Sequence, residues 1–194
     1  MRQFVLIFLI VITAAGAFAA DRQPALSKTP LSVEQMEVYK AFLSSYTNGS
    51  KSSHLNLANR TVMLDLSDTG NCLKGIKIES NDPAYSIVHE FDTQSALLAN
   101  VTLVDSKEQM AKVKDNDPGR TMRQGQSVEH AVESAFASGL LTLSEVAFDK
   151  THQYAVMNFS FVCGSLCGHG EVVILQKVDG HWKQTNRLCG GWIS

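Results

Sequence analysis

Four apolar runs close the chain, and they limit what it can fold into more than any other feature. They are Leu141 to Phe148, Gln153 to Val162, Glu171 to Val178 and His181 to Leu188, each of strand length and parted from the next by a short turn. In the second run Ala155, Met157, Phe159 and Phe161 alternate with Tyr154, Asn158 and Ser160, the period of a strand with one buried face and one partly wet face. The join Val178-Asp179-Gly180-His181 suits a tight hairpin, because Asp-Gly accepts the positive φ angles of a type I′ turn. Together the runs predict an antiparallel meander.

Two helices are legible upstream. Ser32 and Gln35 form a capping box, Leu31 and Met36 have the spacing of a hydrophobic staple, and a helix is expected from Val33 to about Tyr46, stopped by Asn48-Gly49. Its apolar face is Met36, Tyr39, Phe42, Leu43 and Tyr46. The second helix is capped by Ser127, has Glu129 and Glu133 at its positive end, and carries the narrow stripe Val128, Ala131, Val132, Ala135 and Phe136 up to Gly139. An alanine-rich stripe lets a helix lie close to a sheet.

Between them, Thr61 to Leu66 alternates like a strand, and Cys72 to Ile78 fits a strand or a loop. Asp92 to Asn100 has the pattern of a short capped helix, Ser106 to Lys114 is weakly helical, and Asp115 to Gly119 is a turn. This order predicts an α+β fold: an antiparallel sheet of four to five strands, covered on one face by two to four helices.

The first residues pair a positive Arg2 with an apolar run from Phe4 to Ile12 and a small-residue exit at Ala17-Phe18-Ala19, which reads as a signal peptide over residues 1–20 cleaved after Ala19 or Ala20. Residues 21–30 hold two prolines and no period, and read as a flexible leader. Residues 31–194 then form a single domain, exported to the periplasm or secreted, with no membrane contact once the signal is cleaved. The net charge of −2 is scattered in sign, so no basic face is offered to nucleic acid.

Four cysteines, Cys72, Cys163, Cys167 and Cys189, in an exported chain read as two disulfides. Three connectivities are possible. Cys163 and Cys167 flank a Gly-Ser-Leu turn, which favours their pairing and leaves Cys72 for Cys189. Loop entropy assigns about 2 kcal/mol to the short ring and about 5 to the long one.

Several blocks in the C-terminal third resemble a group of uncharacterised secreted bacterial proteins. They are Leu143 to Phe148, Ala155-Val156, Cys163-Gly-Ser-Leu-Cys-Gly-His-Gly170, Leu175 to Lys177, Gly180-His-Trp-Lys183 and Trp192-Ile-Ser194. The resemblance covers roughly residues 140–194 and implies a bacterial source and an exported α+β domain, with no activity to carry over. The chain departs from that pattern at Glu145, where an arginine is common, and at Cys189, where no thiol is expected. A bacterial source also implies no glycans on the sequons that begin at Asn48, Asn59, Asn100 and Asn158.

The segment from Cys163 to Gly170 admits three readings. It is a disulfide-pinned hairpin loop, with glycines placed for unusual backbone angles; or a metal site of Cys163, Cys167 and His169 joined by His152 or His181; or a reactive thiol beside His169. The first accounts for the cysteines most simply. Glu145, Asp149, Glu171 and Asp179 could supply a carboxylate pair, although strand-end charges are ordinarily solvated. Trp182 and Trp192 could stack a ligand or belong to the core. No nucleophile elbow, phosphate loop, dinucleotide fingerprint or His-Glu-x-x-His is present. The expectation is a non-catalytic module, without a cofactor, that binds a protein or small-molecule partner; the alternative is a small enzyme or metal-binding protein using the cysteine segment.

Overall fold

The computed structural model describes residues 24–49, 54–67, 69–92, 97–187 and 189–194, so the expected signal peptide lies outside the described residues. The chain is α+β. Its elements in order are β1 (Ala25–Leu26), α1 (Val33–Gly49), β2 (Leu55–Ala58), β3 (Ile87–Val88), β4 (Val101–Val104), α2 (Ser106–Asp115), α3 (Pro118–Arg123) and α4 (Val128–Ser138), followed by β5 (Leu140–Leu143), β6 (Ala147–Phe148), β7 (Tyr154–Gly164), β8 (Cys167–Val178), β9 (His181–Gln184) and β10 (Gly191–Ile193).

The main sheet is ordered β10-β8-β7-β5-β2-β4, with β6 also on β7 and β9 also on β8. The expected meander is present as its antiparallel half. The other half corrects the reading of a purely antiparallel sheet, because β2 runs parallel to both β4 and β5. Short and apolar, with Leu55, Leu57 and Ala58 buried, β2 is a central strand whose alternation is hidden by burial on both faces. Strand character was expected instead at Thr61 to Leu66, where the isolated bridge Val62 to Ser144 forms, with a second, Arg60 to Glu90, just before it. With β4 unrecognised, the helices from Ser106 to Ser138 look like a separate layer; they are the crossover that returns the chain from β4 to β5.

Local chemistry explains the helix ends. The capping box forms reciprocally, Gln35 N–H donating to Ser32 Oγ at 3.2 Å and Ser32 N–H to Gln35 Oε1 at 2.9 Å. Asp117 accepts from the Arg120 N–H at 3.0 Å and is followed by Pro118 in the first helical position, so the expected turn at residues 115–119 opens α3 instead. The helix expected over Asp92 to Asn100 falls largely outside the described residues. The leader is not free over its whole length. Ala25 and Leu26 pair in parallel with Ile87 and Val88, using backbone groups while their side chains stay exposed, which a pattern of side chains cannot reveal.

Both faces of the sheet are covered. On one, α1 and α4 pack against Ala155, Met157, Phe159, Phe161, Val173 and Leu175. On the other, the turn-rich stretch around Cys72 and Ile76 covers Val156, Val172 and Ile174, so the face expected to be partly wet is apolar at its centre. Cys72–Cys189 and Cys163–Cys167 are the disulfides, the favoured pairing. The long bridge ties that second layer to the chain between β9 and β10, where Arg187 donates to the carbonyls of Cys72 and Lys74 at 3.0 and 2.9 Å.

Two of the expected runs are broken. The first divides into β5 and β6 at Ser144-Glu145, because the Glu145 N–H turns away to Val62 O at 2.7 Å. The last ends at Gln184, and β10 then returns to the same edge of β8 that β9 has left. At the β8 to β9 join Asp179 and Gly180 have φ of 54° and 79°, as the Asp-Gly signal requires.

Candidate functional site: an aromatic groove between two helices

The Cys163 to Gly170 segment is not a loop between strands. Strand pairing runs on to Gly164 opposite Cys167, leaving only Ser165 and Leu166 at the tip. Its glycines have no left-handed φ; they make room. A Cβ at Gly170 would lie 2.6 Å from both the Phe159 carbonyl oxygen and Trp192 Nε1, and one at Gly168 would lie 3.1 Å from the same indole. Trp192 thus rests across Gly168 and Gly170, half exposed, while Trp182 is buried in the main core with Lys177 over its ring. Asp117 fixes the hairpin tip, accepting from both Ser165 N–H and Ser165 Oγ at 2.7 Å.

Because β8 begins at Cys167, His169 is a strand residue, paired with Phe161 on one side and Ile193 on the other. It shares a face with Val173 and Leu175, the face that α1 and α4 cover. The two helices do not close over it. Of the apolar stripe on α4, Ala131 and Ala135 are fully buried, yet Val132 is 40% and Phe136 45% exposed. This corrects the reading of the whole stripe as a packing face. The gap is a half-open cavity of about 1220 Å³, floored by β7 and β8 and walled by the last turns of α1 and by α4.

Aromatic rings line it in sequence. Phe136 stacks near Phe161 with centroids 5.9 Å apart, Phe161 meets His169 at 5.8 Å, His169 stacks on Tyr46 at 6.0 Å, Tyr46 meets Phe159 edge-on at 5.3 Å, and Phe159 meets Phe42 at 5.0 Å. The polar groups at the centre of the row are His169 Nε2 and the Tyr46 hydroxyl, 3.3 Å apart. Burial pushes the Tyr46 phenol up to about 12, so it stays a neutral hydrogen-bonding group across the ordinary pH range. Glu133 and Glu171 stand exposed on the lining.

The residues of the metal alternative do not come together. The sulfurs of Cys163 and Cys167 are bonded to each other and His169 faces Tyr46, while His152 Nδ1 lies 2.8 Å from Glu34 and His181 is exposed at the far end of β8 and β9. Among the described residues no group of three or more His, Cys, Asp or Glu is placed to hold a metal ion. Nor do the candidate carboxylates form a pair: Asp149 orders the β6 to β7 turn, Asp179 sits in the next hairpin turn and Glu171 lies on the groove.

Glu145 overturns the solvated reading. It is 1% exposed and receives the His89 N–H at 2.8 Å, the Thr61 hydroxyl and the Gln35 amide, with His89 Nδ1 2.9 Å away. Beside it the Tyr39 hydroxyl donates to Ser144 O at 2.8 Å, and burial, helped by the Glu145 charge, holds that phenol well above its ordinary value. This hub ties α1 to the broken strand and to the segment around His89. His89 carried no signal in the sequence, lying in a stretch without period. Tyr46 and Phe136 were legible only as helix-face residues.

Comparison of the chain with family models, with curated proteins and with solved structures finds no match.

Proposed function

We propose that this chain is an exported, non-catalytic binding module whose ligand is an apolar small molecule seated between α1 and α4. The observation that carries the reading is the groove itself, a cavity of about 1220 Å³ with a continuous row of rings and one convergent polar pair, His169 and Tyr46. Small-molecule sites have this character: concave, mostly apolar, preformed, with few polar groups to fix orientation. Two disulfides on a fold without a membrane-spanning helix among the described residues support export, as does the resemblance of the C-terminal third to secreted bacterial proteins.

The test is titration of the purified, disulfide-intact protein with Nile red, a neutral apolar dye. Saturable one-to-one binding with blue-shifted emission is expected, abolished by Ala137→Trp, which places an indole in the groove from the exposed side of α4. Dye that binds the variant as well as the parent, or neither, overturns the reading. Export is checked by intact mass: a chain starting at Ala20 or Asp21 agrees, and retained Met1 does not.

A further inference from the structure

Resting on the groove as a binding site, we infer that its ligand class is the cationic amphiphile, an apolar chain or ring system bearing an amine or quaternary ammonium group. Charge complementarity carries the argument. Among the described lining residues the formally charged ones are Glu133, from α4, and Glu171, from β8, and neither lysine nor arginine lines the cavity. An anionic ligand such as a fatty acid would bring a further negative charge against these two, with no lysine or arginine among the described lining residues to receive it.

The rings point the same way. Tyr46, Phe159 and Phe161 surround His169, and ring faces attract a desolvated cation by their quadrupole. A quaternary ammonium needs no hydrogen-bond acceptor, so an aromatic lining with carboxylates beside it satisfies the charge without a deep acidic pocket. The apolar remainder of the ligand would lie along the side chains of Phe42, Leu55 and Phe136.

Three ligands of equal chain length separate the possibilities: decyltrimethylammonium and decanoate below their micelle concentrations and decan-1-ol below its solubility, measured by displacement of Nile red from the disulfide-intact protein. The cation is expected to bind about tenfold tighter than decanoate, equivalent to about 1.4 kcal/mol, with decanol between them. The double substitution Glu133→Gln, Glu171→Gln is expected to bring that ratio near one by weakening the cation and strengthening decanoate, and added salt to narrow it in the parent. Decanoate binding as tightly as the cation, or a ratio that survives the double substitution, overturns the ligand class. Decanol bound in an Ala137→Trp-sensitive way would in that case keep the groove as a site. Failure of all three ligands and of the dye would remove both.

Discussion

Replacing Cys72 and Cys189 by alanine opens a cross-link spanning 117 positions of sequence, and the cost can be worked from that span. Chain-entropy arithmetic gives a loss of about 16 cal/mol/K for a loop of this length, or about 5 kcal/mol at 25 °C, against about 2 kcal/mol for Cys163→Ala, Cys167→Ala, whose sulfurs are only 4 positions apart. For a domain of this size the larger figure corresponds to a fall of about 10–20 °C in Tm. The native side adds to the difference. The long bridge holds the Cys72 and Ile76 layer over Val156, Val172 and Ile174, whereas the short one closes a hairpin already fixed by strand pairing and by Asp117. Equilibrium urea denaturation of the parent and the two double variants measures both losses. Equal losses, or a long-bridge variant within about 2 kcal/mol of the parent, would refute the assignment of that layer's stability to the bridge.

Glu145→Ala takes away the acceptor that the His89 N–H and the Thr61 hydroxyl share, leaving them only each other and the His89 carbonyl in a dry interior, and should cost about 2–3 kcal/mol, while Glu145→Gln, which keeps an acceptor, should cost about 1 kcal/mol; urea midpoints check both. At Gly139 a Cβ would lie 2.3 Å from the Phe161 ring. Gly139→Ala should therefore destabilise by about 1–3 kcal/mol and weaken Nile red binding by moving that ring. Among the groups that set the pH dependence are two of opposite sign. Hydrogen bonds from Ser165, backbone first and side chain second, hold the Asp117 carboxyl below its usual 3.8, so its contribution is present above that value and lost as pH falls through the folded pKa. Burial raises Tyr46 from 10.0 to about 12, so its contribution is full below pH 10 and lost as pH rises toward 12. Urea midpoints across both windows should fall at each end, and Asp117→Asn and Tyr46→Phe should each lessen one of the two falls.

Where side-chain period and local backbone chemistry agree, the sequence speaks directly. The α1 capping box, the Ser127 cap, the Asp179-Gly180 hairpin and the buried face of β7 that carries Ala155, Met157, Phe159 and Phe161 are all of this kind, each needing only neighbours within a few residues. The parallel half of the sheet is not, because β2 and β4 are four residues each and pair across dozens of positions. Glu145 escapes for a related reason: its partners Thr61, His89 and Gln35 lie far along the chain, and only the fold shows that its charge is enclosed. The groove was half legible. Phe136 and Tyr46 belong to apolar helix faces by spacing, but that α1 and α4 leave a gap over β7 and β8 depends on where the sheet places each helix. His169 was singled out for its cysteine neighbours; its partners are Tyr46, Phe159 and Phe161.

The central claim is that the space between α1 and α4 is a ligand site, and amide chemical-shift mapping during titration with decan-1-ol tests it most directly. The account predicts shifts concentrated at Phe42 to Tyr46, Val132 to Ala137, Phe159 to Phe161 and His169 to Glu171, with one binding curve common to all four segments. Shifts centred on the Cys72 and Ile76 layer, or none at saturating ligand, would contradict it.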